Sequence, residues 1–213
     1  MRLDGPRLSP PLAPPCPPSA RKITPVVATV ACVFGPVIRG KKCVLRPPRK
    51  EELSTYQRWF EDPEVLQFLP GIGPFSDSQE EEWFKRVGED PNGVAWAIEV
   101  DGKVVGTTGI HGIDWRHGNG ETGITIGDKS MWRKGIASEA MALRTAFCFR
   151  ELNLHKIRTR AFMENEASKR ALQKAGYRQS GVQREEMYKD GTWHDIWMGE
   201  VMRADWEKAQ QNR

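Results

Sequence analysis

Two Asp-Gly pairs, Asp101-Gly102 and Asp190-Gly191, each lie between segments in which apolar and polar residues alternate. This pattern predicts β-hairpins: the tight turn needs left-handed backbone at its centre, and the alternation keeps one face of each strand apolar. The first turn joins a strand over Val94–Val100 (Trp96, Ile98 and Val100 on one face) to a return strand over 103–110. The second joins strands over about 179–189 and 193–202. Strands are also predicted at 43–46, 121–126 and 155–162. Between them, Leu53, Tyr56 and Phe60 recur at helical spacing in 50–60, and Asp62-Pro63 stops that run. Ser76 followed by Gln79 is a capping box opening a second helix with Trp83, Phe84 and Val87 on its inner side. Ile136, Ala140, Leu143 and Phe147 form the apolar stripe of a helix over 135–150, and a short helix capped by Asn165 ends at Gly176. The order β-αα-β-β-β-α-β-α-β-β predicts an α/β chain with a mixed sheet.

The first 41 residues differ from the rest. They hold nine of the fifteen prolines, and six basic residues against Asp4 give them +5. The whole chain is +4, so 42–213 carries −1. A nearly neutral body lacks the basic footprint of a nucleic-acid binder. Seven prolines within the first eighteen residues exclude helix and sheet there. We read 1–36 as a leader, 37–204 as the functional domain and 205–213 as a C-terminal tail. The leader is expected to be an over-extended start with the true chain opening near Val33, a disordered native tail, or a targeting segment. No run approaches the length of a membrane-spanning helix. Cys16, Cys32, Cys43 and Cys148 form no CxxC pair, and the four histidines show no ligand spacing. Reduced thiols, a cytoplasmic location and no metal are therefore expected.

The segment with most chemical content starts at Glu121. A strand, Glu-Thr-Gly-Ile-Thr-Ile-Gly, is followed by Met131-Trp-Arg-Lys-Gly-Ile-Ala137 and then at once by a helix. The first N–H groups of a helix have no internal partners, and its dipole is positive at that end. A pyrophosphate could therefore sit on this turn, with Gly135 allowing close approach and Arg133 and Lys134 adding charge. An ordinary strand-to-helix turn would carry the same pattern. Some thirty residues on, Asn165-Glu-Ala-Ser168 places an amide and a hydroxyl on the first turn of a helix ending at Gly176-Tyr177.

At these two motifs the chain resembles the GNAT acyltransferases, and within them the RimJ/RimL-like group that acetylates protein N-termini and related amines. The family's Q/R-x-x-G-x-G/A motif is matched by Trp132-Arg133-Lys134-Gly135-Ile136-Ala137, with Trp132 departing at the first position. Its N-x-x-S motif is matched by Asn165 and Ser168, and the likeness spans about 37–204. It implies a GNAT-type mixed, mostly antiparallel sheet with helices on both faces and with the fourth (121–126) and fifth (155–162) strands splayed. It implies acetyl-CoA as acyl donor and an amine acceptor, with no nucleic-acid or membrane partner and a monomeric or homodimeric chain. The cofactor residues would be Ile124, Thr125 and Ile126 along the fourth strand, the turn Trp132, Arg133, Lys134, Gly135, Ile136 and Ala137, and Asn165 and Ser168. Ser168 is the candidate donor to the leaving thiolate. Glu121 is the candidate base or water-orienting carboxylate, with Glu185 and Glu186 as rivals. Tyr177 is expected to pack beneath the cofactor arm rather than give up a proton.

The acceptor is expected to be an N-terminal α-amine; spermidine, an aminoglycoside, or a non-catalytic acyl-CoA-binding role are the alternatives. Trp59, Trp83, Trp96 and Trp193 are expected in the core. The acids Asp77, Glu80, Glu81 and Glu82 read either as a solvated first helical turn or as an attractor for a cation.

Overall fold

The computed structural model describes residues 34–71 and 73–211. The leader readings for 1–33 lie outside the described residues. Eight strands form one sheet in the order β1-β2-β3-β4-β5-β6-β8-β7: β1 Ile38–Arg39, β2 Val44–Arg46, β3 Val94–Val100, β4 Lys103–Asp114, β5 Asn119–Ile126, β6 Lys156–Phe162, β7 Arg178–Lys189 and β8 Thr192–Met202. Every neighbouring pair is antiparallel except β5 and β6. Both Asp-Gly turns form as expected, with Asp101, Gly102, Asp190 and Gly191 all at positive φ.

The helices are α1 Leu53–Phe60, α2 Pro63–Leu66, α3 Asp77–Glu89, α4 Ile136–Arg150, α5 Glu166–Lys174 and α6 Arg203–Gln211. The α3 capping box is present as read, with Ser76 accepting from Gln79 N–H and the Gln79 side chain accepting in return. Asp62-Pro63 does end α1. Pro63 then starts α2, because proline suits a first helical turn and Asp62 caps it. The stretch read as a tail holds most of α6, whose Trp206 ring packs 5.5 Å from Phe149. At the other end, Gly35 N–H donates to Ala95 O and the Trp96 indole donates to Pro36 O, so residues assigned to the leader are tied to β3.

The pleat separates two faces. Leu45, Trp96, Ile98 and Ile110 point toward α4 and α5 and build the main core, where Trp96 meets Phe147 edge-on at 5.2 Å. The other face carries α1 and α3. There the buried Arg46 guanidinium is held by Glu52 and Glu99, and Tyr56 Oη donates to Glu52 at 3.0 Å. Trp59 lies flat over Gly127, where a Cβ would fall 1.9 Å from the indole, so this glycine is needed for the contact. Trp193 does not join the core: it is 58% exposed on the β7–β8 hairpin, with its ring beside Tyr188.

Candidate active site

The sheet opens where its one parallel pair ends. The ladder between β5 and β6 runs from Asn119↔Lys156 to Thr122↔Thr159 and stops. Beyond it, Gly123–Ile126 and 160–162 diverge into a wedge. Gly127 N–H donates to Val105 O at 3.0 Å, and the Thr125 carbonyl lies against Gly106. Odd-numbered backbone groups of β5 therefore face β4, so those of Ile124 and Ile126 face the wedge. Among the described residues, Ile124 has no strand partner on that side. Ile126 O accepts the Trp132 indole N–H at 2.8 Å. Thr125 contributes no backbone group to the wedge; its side chain lies on the α1–α3 face.

The turn from β5 into α4 carries a cradle of donors. Gly135 is the N-cap at φ 82°, and Arg133 is also left-handed at φ 63°. Left-handed residues in such a turn help aim neighbouring N–H groups toward one point, which suits an anion. Among the described residues, the N–H groups of Arg133, Lys134, Gly135, Ile136 and Ala137 have no acceptor. Trp132 differs, because its N–H is already bonded to Lys129 O at 3.1 Å. With its indole on Ile126 O, Trp132 anchors the turn to β5, which explains the residue without a direct ligand role. The side chains of Arg133 and Lys134 are exposed. Free N–H donors with adjacent cationic side chains suit a diphosphate.

Strand β6 feeds α5 just as β5 feeds α4, and because the two strands are parallel both helices begin at the open end of the wedge. Asn165 Oδ1 caps α5 by accepting from Ser168 N–H at 2.9 Å, leaving the Asn165 amide nitrogen unbonded among the described residues. The Ser168 hydroxyl is half-buried and makes no local bond among them. Tyr177 is buried, with its hydroxyl 3.0 Å from Thr145 Oγ1, so its ring is part of the core.

Glu121 sits at the closed end of the wedge on the α1–α3 face, where the Arg160 Nε donates to it at 2.7 Å. Glu186 is not brought near it. Glu186 is exposed in an irregular stretch of β7, and β8 lies between β7 and β6. Glu185 is left-handed there, with its N–H bonded to Asp195. On the same face as Glu121, a cavity of about 220 Å³ lies between α3 and the sheet, lined by Trp83, Val87, Thr107, His111, Gly123 and Thr125 among others. The acidic run is split: Asp77, Glu81 and Glu82 are exposed, but Glu80 is buried, with no donor to its carboxylate among the described residues. Burial pushes that carboxyl above its usual range.

Three further residues bear on the site and escaped sequence reasoning. Glu139, in the first turn of α4, accepts the N–H groups of Lys41 (3.0 Å), Lys42 (2.7 Å) and Cys43 (2.9 Å). Burial alone would raise its carboxyl, but these three bonds outweigh that and hold it below the ordinary value. Lys42, fixed in this way, reaches Lys134 O with its Nζ at 2.9 Å and braces the turn. Arg144 is fully buried in α4 behind β5, next to Leu143, which is half-buried against the core.

Comparison with known proteins agrees with this architecture. The chain is 30% identical over 166 residues to the uncharacterized N-acetyltransferase YoaA of Bacillus subtilis, covering 75% of this chain and 93% of that one. The p20 N-acetyltransferase of Bacillus licheniformis, also uncharacterized, is 26% identical over 172 residues, or 78% of this chain and 96% of its own length. In fold, the chain matches Vibrio cholerae spermidine N-acetyltransferase in complex with CoA and spermine (TM-score 0.73, 19% identity, 79% of this chain and 99% of that one). It also matches Mycobacterium smegmatis RimJ in complex with CoA-disulfide (TM-score 0.66, 22% identity, 83% and 93%). The family model for the acetyltransferase (GNAT) domain matches residues 42–178, so the chain belongs to the GNAT family and is an acetyl-CoA-dependent N-acetyltransferase.

Proposed function

We propose that the chain is a RimJ/RimL-like enzyme, its domain spanning about 37–204, that acetylates the α-amino group of a protein or peptide N-terminus. The observation that carries this reading is the wedge: unspent N–H donors on one helix start, an unbonded hydroxyl on the other, and a small cavity on the opposite face. The N–H groups from Arg133 to Ala137 hold the diphosphate. The Ile124 carbonyl and the Asn165 amide nitrogen hold the pantetheine arm. The bound group supplies an activated thioester.

Chemistry then needs a neutral amine, a donor to the developing negative charge on the carbonyl oxygen, and a proton for the departing thiolate. An α-amine with pKa near 8 needs little deprotonation, whereas an amine near 10 needs more. Glu121, steadied by Arg160, takes that proton directly or through water. The amine nitrogen bonds to the acyl carbon, the carbon–sulfur bond breaks, and the second proton of the nitrogen passes to Ser168 Oγ as that hydroxyl gives its own proton to the sulfur. Positioning accounts for much of the rate. The cavity beside Gly123 is small and largely apolar, with Asp90 its only carboxylate, which suits a short side chain next to the α-amine. A polyamine is the second reading: the acids at the start of α3, Asp77, Glu81 and Glu82 exposed and Glu80 buried without a donor among the described residues, would attract a cation.

Release of CoA thiol should be followed with peptides bearing free α-amines, spermidine and aminoglycosides. Peptides are expected to turn over fastest. Turnover of spermidine with none on peptides would overturn the α-amine assignment.

A further inference from the structure

The interior of the main core holds a cation with no anion. Arg144 is 0% exposed, yet no carboxylate among the described residues pairs with it. Its Nη1 donates to Thr108 Oγ1 at 2.6 Å and to Gly123 O at 2.8 Å, and its Nε has no acceptor. Thr108 Oγ1 adds a second bond to the same Gly123 carbonyl at 2.9 Å. An isolated buried guanidinium is unfavourable, and an apolar side chain of similar volume would serve packing at least as well.

The carbonyl it grips belongs to the peptide unit joining Gly123 to Ile124. In a trans peptide the C=O and N–H point in opposite directions. Gly123 O points to β4 and the guanidinium, so Ile124 N–H points into the wedge, at the first position beyond the end of the β5–β6 ladder. Charge-assisted bonds on a peptide oxygen pull electron density from its nitrogen and strengthen the N–H as a donor. Gly123 is itself exposed and carries no side chain beside this amide.

We propose that Arg144 is a positioning residue that polarises the Gly123–Ile124 peptide, making Ile124 N–H the donor to the thioester oxygen as negative charge develops there. The inference rests on the wedge being the acetyl-CoA site. It assigns the buried cation to the reaction rather than to stability.

The test uses the whole chain and needs no known acceptor. Acetyl-CoA labelled with 13C at the acyl carbon is bound, and its carbonyl stretch is read by difference infrared spectroscopy. In the native protein the stretch should fall below its solution value. Arg144→Met should lose at least half of that fall while acetyl-CoA affinity stays within about threefold and the melting temperature does not drop. Arg144→Lys, keeping the charge, should restore most of it. With an acceptor in hand, Arg144→Met should lower kcat about tenfold with little change in KM. If Arg144→Met fails to fold, Thr108→Val removes one bond to the Gly123 carbonyl and should give an intermediate shift. An identical stretch in native and variant proteins overturns the role of Arg144 alone. A native protein that binds acetyl-CoA with an unshifted carbonyl removes Ile124 as donor, and one that does not bind it removes the site.

Discussion

Replacing Glu139 with glutamine keeps the shape of the side chain and removes its charge. In the native protein Oε1 accepts Lys41 N–H, and Oε2 accepts those of Lys42 and Cys43. Glutamine retains one oxygen for the Lys42 and Cys43 groups and turns an NH2 toward Lys41, donor against donor. One bond is lost, at about 1 kcal/mol, and two fall from charge-assisted to neutral strength, at about 0.5 kcal/mol each. A first-turn carboxylate on α4 adds about 0.5 kcal/mol. The sum is about 2.5 kcal/mol, which at this chain length lowers the melting temperature by about 5–10 °C. The sign with pH follows from the depressed carboxyl: its contribution is whole above the ordinary value of 4.5 and is lost as pH falls through the lower folded-state value. Thermal melts of both proteins across pH 3–8 should therefore show a constant gap at neutral pH that closes below about 4.5. Melting curves that stay parallel to the lowest pH would refute the argument. Because Lys42 loses its support, acetyl-CoA affinity of the variant should weaken as well.

Gly135→Val places a β-branched residue at φ 82° with its Cβ 2.8 Å from Lys42 Nζ; calorimetry should show acetyl-CoA affinity lowered by tenfold or more, and unchanged affinity would refute the phosphate cradle. Ser168→Ala should lower turnover by about 10²-fold with the acetyl-CoA dissociation constant little altered, whereas equal loss of both would make Ser168 a binding residue. Glu80→Gln should stabilise the protein by about 1 kcal/mol at pH 7. Its carboxyl is raised by burial, so the native penalty is relieved as pH falls through the raised value, and the variant's advantage should vanish near pH 4; an advantage independent of pH would show that the carboxylate is not the cause.

The hairpins, the α3 capping box and the order from β3 to β8 were legible because each depends on local chemistry: two-residue turns, alternation and caps. Elements fixed by distant partners were not. β1 is two residues long and exists because it pairs with β2, and α2 is a single turn started by Pro63. At the site, the turn and Ser168 could be read from spacing and resemblance, but the spent N–H of Trp132 could not, since it depends on a 3-10 turn just before it. Arg144 did leave a trace: it stands four residues from both Ala140 and Cys148 on an otherwise buried face of α4. Periodicity counts only apolar residues, so a charge on that face was passed over. Glu80 was hidden likewise among three neighbouring acids that are solvated.

Among the described residues, the four-residue ladder between Asn119 and Thr122 is the strand pairing that joins the β1–β5 half of the sheet to the β6–β8 half. Such a seam is the natural line along which the sheet would come apart under load or on warming. A molecule lodged past its end, gripping both margins, would act as a stitch. Amide exchange in Lys156–Phe162 should then slow far more on loading with CoA than exchange in Val94–Val100, which is already laced on both sides.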